Sequence, residues 1–115
     1  MKRFTPVLLA VGVLWSADGQ AKNFENIEQR HAEALLQRMC SQCHAVGRTG
    51  TSPNKVAPPF RRLGENKLYD PDFMQRLQDG YSSIHRFMPT FRFGRDDAEA
   101  VVNYLRAIQE PQKPK

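Results

Sequence analysis

The sequence predicts an all-α protein of a single domain, with three or more helices joined by long loops. Three segments repeat apolar side chains at helical spacing, near residues 24–43, 71–80 and 96–109. Gly, Pro and Asn interrupt the stretches between them, and no parallel βαβ pattern is present. The chain of 115 residues is long enough for one hydrophobic core.

Residues 1–21 are predicted to be a cleavable secretory signal. Two basic residues, Lys2 and Arg3, precede an apolar run over 4–15 and a region of small residues. Cleavage after Ala21 would leave a mature domain, residues 22–115, in the periplasm; cleavage after Gly19 is the alternative and would leave residues 20–115. The alternative is an uncleaved membrane anchor, although the run is short for a bilayer span.

The charge of the chain favours an acidic protein partner over nucleic acid. The full sequence carries +5, and residues 22–115 carry +4. No continuous basic run occurs, and export argues against a nucleic-acid partner. A basic face that docks an acidic protein agrees better with this composition.

The first helix is expected over residues 24–43, with Asn23 as its N-cap. Its apolar residues form two neighbouring stripes: Phe24, Ile27, His31 and Leu35, and Ala32, Leu36 and Met39. Residues 45–70 contain many helix breakers and are expected to be mostly irregular. Such a long irregular stretch indicates that a large rigid ligand orders it.

The two later helices have clearer boundaries. Asp70 is expected to cap a short helix that begins at Pro71 and stops at Gly80. Asp96 is expected to open the last helix, which runs to about Gln109. Its buried stripe should pack against the first helix, and it comprises Ala98, Val101, Val102, Leu105 and Ile108.

The two cysteines of the chain lie in Cys40-Ser41-Gln42-Cys43, directly before His44. Each thiol can add to one vinyl group of a haem, and the next imidazole can then bind the iron. A thioredoxin-like dithiol would need the βαβ pattern that is absent. A zinc site would need further ligands, and His31 and His85 match no common zinc spacing. The sequence therefore predicts one covalent haem c.

The second axial ligand is predicted to be Met88. Met39 and His31 precede the attachment point on the same helix, and Met74 lies on the apolar side of a short helix. Met88 lies in an irregular segment and is followed by Pro89, which restricts the backbone. His85 is the alternative ligand.

At this point the sequence resembles class I bacterial cytochromes c over residues 24–109. The matching pieces occur in family order: the Cys40–His44 motif, Ala57-Pro58-Pro59-Phe60, Met88-Pro89-Thr90-Phe91 and Val101-Val102-Asn103-Tyr104-Leu105. The resemblance implies three to five helices around one haem. It implies that the Pro58 carbonyl accepts a hydrogen bond from His44, with Pro59 as a lesser alternative. It also implies that Ala32 and Leu36 pack on Tyr104 and Leu105.

The expected function is single-electron transfer between redox proteins, without catalysis. With His44 and Met88 both bound, the iron would have no open position for a substrate, and sulfur ligation would raise its potential. Five phenylalanines could surround the haem: Phe60, Phe73, Phe87, Phe91 and Phe93. A basic docking rim is expected from Lys55, Arg61, Arg62, Lys67, Arg86, Arg92 and Arg95. The alternatives are a small peroxidase and the haem subunit of a permanent complex.

Overall fold

The computed structural model describes residues 18–81 and 87–111, together with Lys2 and Gly12. Most of the predicted signal sequence, His85 and Arg86 lie outside the described residues. The described part contains a short 3-10 helix, Phe60–Arg62, and the helices α1 (Asp18–Cys40), α2 (Glu65–Leu68), α3 (Pro71–Asp79) and α4 (Arg95–Ile108). It contains no strand, so the prediction of an all-α fold is confirmed.

Helix α1 begins earlier and ends earlier than predicted. Asn23 lies inside the helix and does not cap it. Phe24 and Ile27 are 74% and 57% exposed, so their predicted burial was wrong. All residues from 19 to 27 are exposed, because this end of the helix lacks a covering partner among the described elements. The helical spacing of apolar residues predicts a helix, but the burial of those residues requires another element packed against them.

Helices α1 and α4 pack against each other and form the centre of the core, as predicted. Ala32 is completely buried, and Leu36, Tyr104 and Leu105 belong to the same hydrophobic cluster. Two polar contacts flank this packing. His31 Nε2 lies 2.7 Å from Asp97 Oδ1, and Asn103 Nδ2 donates to Glu28 Oε1 over 3.2 Å.

The caps of α3 agree with the sequence prediction. The Asp70 side chain accepts a hydrogen bond from the Asp72 N–H over 3.0 Å, and Pro71 is the first helical residue. The helix ends at Gly80, whose φ of 118° is a conformation that glycine adopts without strain. Helix α4 begins at Arg95, one residue before the predicted start.

The segment after the cysteine motif is mostly irregular, as predicted, and its two short regular pieces are the 3-10 helix and α2. Within the described residues, no helix is long and apolar enough to cross a bilayer.

Candidate haem-binding site

The end of α1 places Cys40 and Cys43 close together on one tight turn. The N–H groups of Cys43 and His44 both donate to the Cys40 carbonyl, over 3.2 and 2.9 Å. Both cysteines are half-buried free thiols. Burial, and to a smaller extent the neighbouring Cys43, raise the pKa of Cys40 to about 11. In this environment the Cys40 thiol is therefore protonated at neutral pH.

The imidazole of His44 is oriented by the loop that follows it. His44 Nδ1 lies 2.7 Å from the Pro58 carbonyl oxygen. Because a carbonyl only accepts hydrogen bonds, Nδ1 carries the proton and donates it. In the neutral ring Nε2 then holds a free lone pair, which is the form that binds a metal. The ring of Phe60 lies beside the imidazole, with 4.7 Å between ring centroids.

The loop that carries Pro58 is fastened to the cysteine motif by its own hydrogen bonds. Asn54 N–H donates to the Cys43 carbonyl over 3.1 Å, and Phe60 N–H donates to the Ala45 carbonyl over 2.9 Å. Ala45 N–H donates to the hydroxyl of Ser52, the one buried polar residue of the described chain. The sequence analysis did not single out Ser52, because an isolated serine gives no local signal of burial.

The far side of this loop is fastened to α4. The buried Tyr104 hydroxyl donates to the Val46 carbonyl over 2.9 Å, and Gln109 Nε2 donates to the Phe60 carbonyl over 2.7 Å. Burial, and then the charge of Glu33, raise the pKa of Tyr104 above its ordinary value, while Arg48 opposes this shift. His44 is thus held by a loop that is itself anchored to the core helices.

Just beyond α4, Glu110 accepts hydrogen bonds from two arginines. Arg61 Nε and Arg62 Nε lie 2.7 and 3.0 Å from its two carboxylate oxygens. These contacts, with Arg62 first, lower the pKa of Glu110. The Arg61 side chain is only 11% exposed and also donates to the Gly50 carbonyl. Arg61 is therefore a structural residue, and its expected place in an open docking rim is wrong.

Met88 lies in the loop between α3 and α4. The ends of this loop meet in an antiparallel bridge, where Tyr81 N–H donates to the Phe91 carbonyl over 2.9 Å and Phe91 N–H donates back over 3.3 Å. The two rings are stacked, with centroids 5.5 Å apart and planes inclined by 20°. We call the pair Tyr81 and Phe91 the loop stem. Met88 itself is half-buried.

Sequence reasoning missed the loop stem, although one signal was present. Phe91 and Phe93 alternate along the chain, which is the spacing of an extended segment and differs from that of the helices. The partner, Tyr81, follows immediately after the helix stop at Gly80. The pairing of these two positions is a non-local contact, which no single window of sequence reports.

Of the five phenylalanines expected around the haem, Phe60, Phe73 and Phe93 are buried, and Phe91 is half-buried against the core. Phe87 is 80% exposed. Their place around the haem stays a prediction. Half-buried residues that pack on the same core include Cys40, Leu63, Met74 and Tyr81. The alternative ligand His85 lies outside the described residues, and His31 is paired with Asp97.

A groove of about 810 Å³ lies between α1 and residues 45–53, and His44 is the one expected site residue that lines it. Among the described residues, no cluster of three or more His, Cys, Asp or Glu side chains is placed to hold a metal ion. Five of the predicted rim residues are exposed cations: Lys55, Arg62, Lys67, Arg92 and Arg95.

The amino-acid sequence of the chain matches a known protein family. A family model described as cytochrome c oxidase, cbb3-type, subunit III matches residues 28–105. The chain belongs to this cytochrome c family. No significant match was found among curated proteins or solved structures. The family confirms the resemblance to class I cytochromes c that the sequence predicted, and cytochromes of this family bind covalent haem c.

The residues of this cytochrome c domain are chemically suited to that cofactor. Two free thiols lie on one turn, the next residue is an imidazole with an available nitrogen, and a thioether lies in a loop that begins and ends at aromatic residues. Thiols, imidazole and thioether are the groups that attach and ligate a c-type haem. A cytochrome c domain implies haem-based electron transfer.

Proposed function

We propose that this protein is a periplasmic single-electron carrier whose haem is attached through Cys40 and Cys43 and ligated by His44 and Met88. The observation that carries the proposal is the hydrogen bond from His44 Nδ1 to the Pro58 carbonyl, because it leaves Nε2 as a metal ligand. An isolated dithiol would not require an oriented imidazole beside it. Residues 1–21 would direct export, and residues 22–115 would form the mature protein.

Each site residue has a separate role in this proposal. Cys40 and Cys43 form the two thioether bonds that keep the cofactor in the protein. Pro58 fixes the ring plane of His44 and increases the electron donation of its nitrogen. Met88 occupies the sixth position, and its sulfur favours the reduced state. The bound cofactor supplies one-electron redox chemistry.

The domain as proposed has no catalytic step. With both axial positions filled by side chains, a substrate has no place to bind the iron, so the protein would carry electrons and not act as a peroxidase. The buried rings of Phe60, Phe73 and Phe93 exclude water from this region. An apolar environment disfavours the extra positive charge of oxidised iron and supports a raised potential.

We propose that the carrier is a monomer that docks acidic surfaces of its electron donor and acceptor. Lys55, Lys67 and Arg95 are exposed, and residues 22–115 carry a net charge of +4 before the cofactor is counted. Fast exchange needs weak, electrostatically steered contacts. Electron-transfer rates to an acidic partner should therefore fall as salt rises, since the screening length is about 10 Å at 0.1 M ionic strength.

A second candidate function is a haem subunit of a permanent oxidase complex. The description of the matching family favours it, because that description names an oxidase subunit. The exposed Phe24 and Ile27 on α1 are also compatible with a covered surface. Stopped-flow rates that are independent of salt, together with co-purification in detergent, would support the subunit over the free carrier.

The proposal is tested on protein exported and matured in a host with a haem-attachment system. The haem should remain with the polypeptide under acidified organic extraction, and the mature N-terminus should be Lys22 or Gln20. Freely extractable haem would contradict the attachment through Cys40 and Cys43. A mature chain that begins at Met1 would contradict the signal sequence and leave the haem chemistry unaffected.

A further inference from the structure

The loop stem is a link between the helical core and the segment that carries Met88. On one side Tyr81 follows α3 directly, and on the other Phe91 leads through Phe93 into α4. The ring of Phe73 packs edge-on against the ring of Tyr81, with 5.9 Å between ring centroids. The rings of Phe93 and Phe91 are also in contact, with centroids 5.5 Å apart. Each stem ring is therefore attached to a buried aromatic residue of the core.

The next links lie further from Met88. The Asp79 carbonyl accepts from Arg92 Nη2 over 3.1 Å, and the Leu77 carbonyl accepts from Phe93 N–H over 2.8 Å. These three pairs form a ladder between the end of α3 and residues 91–93. Only the innermost rung, the loop stem, adds ring stacking to its backbone hydrogen bonds.

We propose that Tyr81 and Phe91 are positioning residues for Met88, which set how readily the sixth ligand is displaced. This inference rests on the proposed ligation by Met88 and goes beyond it, because neither stem residue touches the iron in this account. The stem acts through the loop: it keeps the sulfur close to its binding position, so that a displaced methionine returns before a competing ligand replaces it.

The size of the effect follows from the ladder. Without the stem, the closed segment grows from residues 81–91 to residues 79–92, which the hydrogen bond from Arg92 to the Asp79 carbonyl closes. Loop-closure entropy alone then lowers the local concentration of the Met88 sulfur by about 1.4-fold. Loss of one stacked aromatic pair contributes about a further three- to tenfold. The stem should therefore change ligand displacement by roughly tenfold.

The experiment measures displacement of Met88 by imidazole in the oxidised holoprotein. Loss of the near-infrared band of methionine-ligated ferric haem reports the imidazole affinity. Tyr81→Ala should raise that affinity by about tenfold, whereas Tyr81→Phe, which keeps the ring, should leave it within about twofold of the parent. Tyr104→Phe is the control for general destabilisation, since it removes a buried hydrogen bond that is not part of the loop stem. Hydrogen exchange of the Phe91 amide gives a second readout, and it should accelerate in Tyr81→Ala.

The outcomes separate the inference from the proposed function. If the parent lacks the methionine band, Met88 is not the ligand, and the inference falls with that assignment. If the parent has the band but Tyr81→Ala leaves the imidazole affinity unchanged, the stem proposal alone is overturned. It is also overturned if Tyr104→Phe raises the affinity as much as Tyr81→Ala, because general destabilisation would then explain both. Should Tyr81→Ala fail to mature, Phe91→Leu removes the stack while keeping apolar volume, and the same tenfold rise is expected.

Discussion

The two loops that bring ligands to the site are fastened in different ways. The His44 side is tied along its length, through Pro58, Ser52 and the Tyr104 hydroxyl, to both the cysteine turn and α4. Among the described residues, the Met88 side is tied at its two ends by the loop stem. In the proposed ligation, the fifth ligand, His44, is therefore held by the core, and the loop stem is one link that holds the segment of the sixth ligand, Met88.

This difference indicates which of the two ligands should be displaced more easily. Displacing His44 would require several hydrogen bonds and covalent neighbours to give way together. Displacing Met88 would require the movement of a loop whose ends remain paired. Perturbations of the His44 side should therefore act on attachment and folding, and perturbations of the Met88 side should act on ligation and potential.

The largest effect is expected on the attachment side. Cys40→Ala combined with Cys43→Ala should abolish covalent haem, because both thioether bonds are lost. Extraction with acidified organic solvent followed by mass measurement of the polypeptide checks this. Gln42→Ala, in the spacer of the same motif, is the control and should mature normally. Retention of haem in the double variant would contradict the account.

The next effect concerns the sixth ligand. Met88→Ala should remove the near-infrared methionine band, lower the reduction potential and allow the reduced protein to bind carbon monoxide. Met74→Leu is the matched control, because Met74 packs against the core and leucine conserves its volume. Loss of the band in Met74→Leu, with its retention in Met88→Ala, would reverse the assignment.

The sequence predicted the elements whose signals are local. Asp70, Pro71 and Gly80 specified the limits of α3, and the spacing of Val101, Val102 and Leu105 specified the buried side of α4. The cysteine motif predicted the chemistry for the same reason, since its residues are adjacent. Phe24 and Ile27 were misjudged because periodicity does not reveal where an opposing helix ends. The loop stem and the pairing of Arg61 with Glu110 depend on distant positions that only the fold brings together.

A smaller effect, on the stability of the protein, is expected from the contact between the His44 loop and α4. Tyr104→Phe leaves the buried Val46 carbonyl without its partner, which should cost about 1 to 3 kcal/mol. The melting temperature should fall by roughly 4 to 8 °C for each kcal/mol, while the methionine band stays unchanged. A shift of the band would mean that the two sides of the site are coupled more strongly than the contacts indicate.

The smallest effect is a pH dependence at Glu110. Its pKa is lowered in the folded state by Arg62 and Arg61, so the stabilisation is complete above the ordinary pKa of 4.5 and is lost as pH falls through the folded value. Urea denaturation at pH 7 and pH 3 should show a larger loss of stability for the parent than for Glu110→Gln. Equal losses would indicate that the two ion pairs contribute nothing measurable, as is common at exposed positions.

The near-infrared spectrum of the oxidised, exported protein tests the central claim most directly, because a single band reports both ferric haem and its methionine ligand. The account predicts that the band is present in the parent, that it disappears in Met88→Ala, and that the reduced parent does not bind carbon monoxide rapidly. A parent without the band, whose reduced form binds carbon monoxide at once, would have an open sixth position. That result would contradict the carrier function and favour an enzyme or a gas-binding protein.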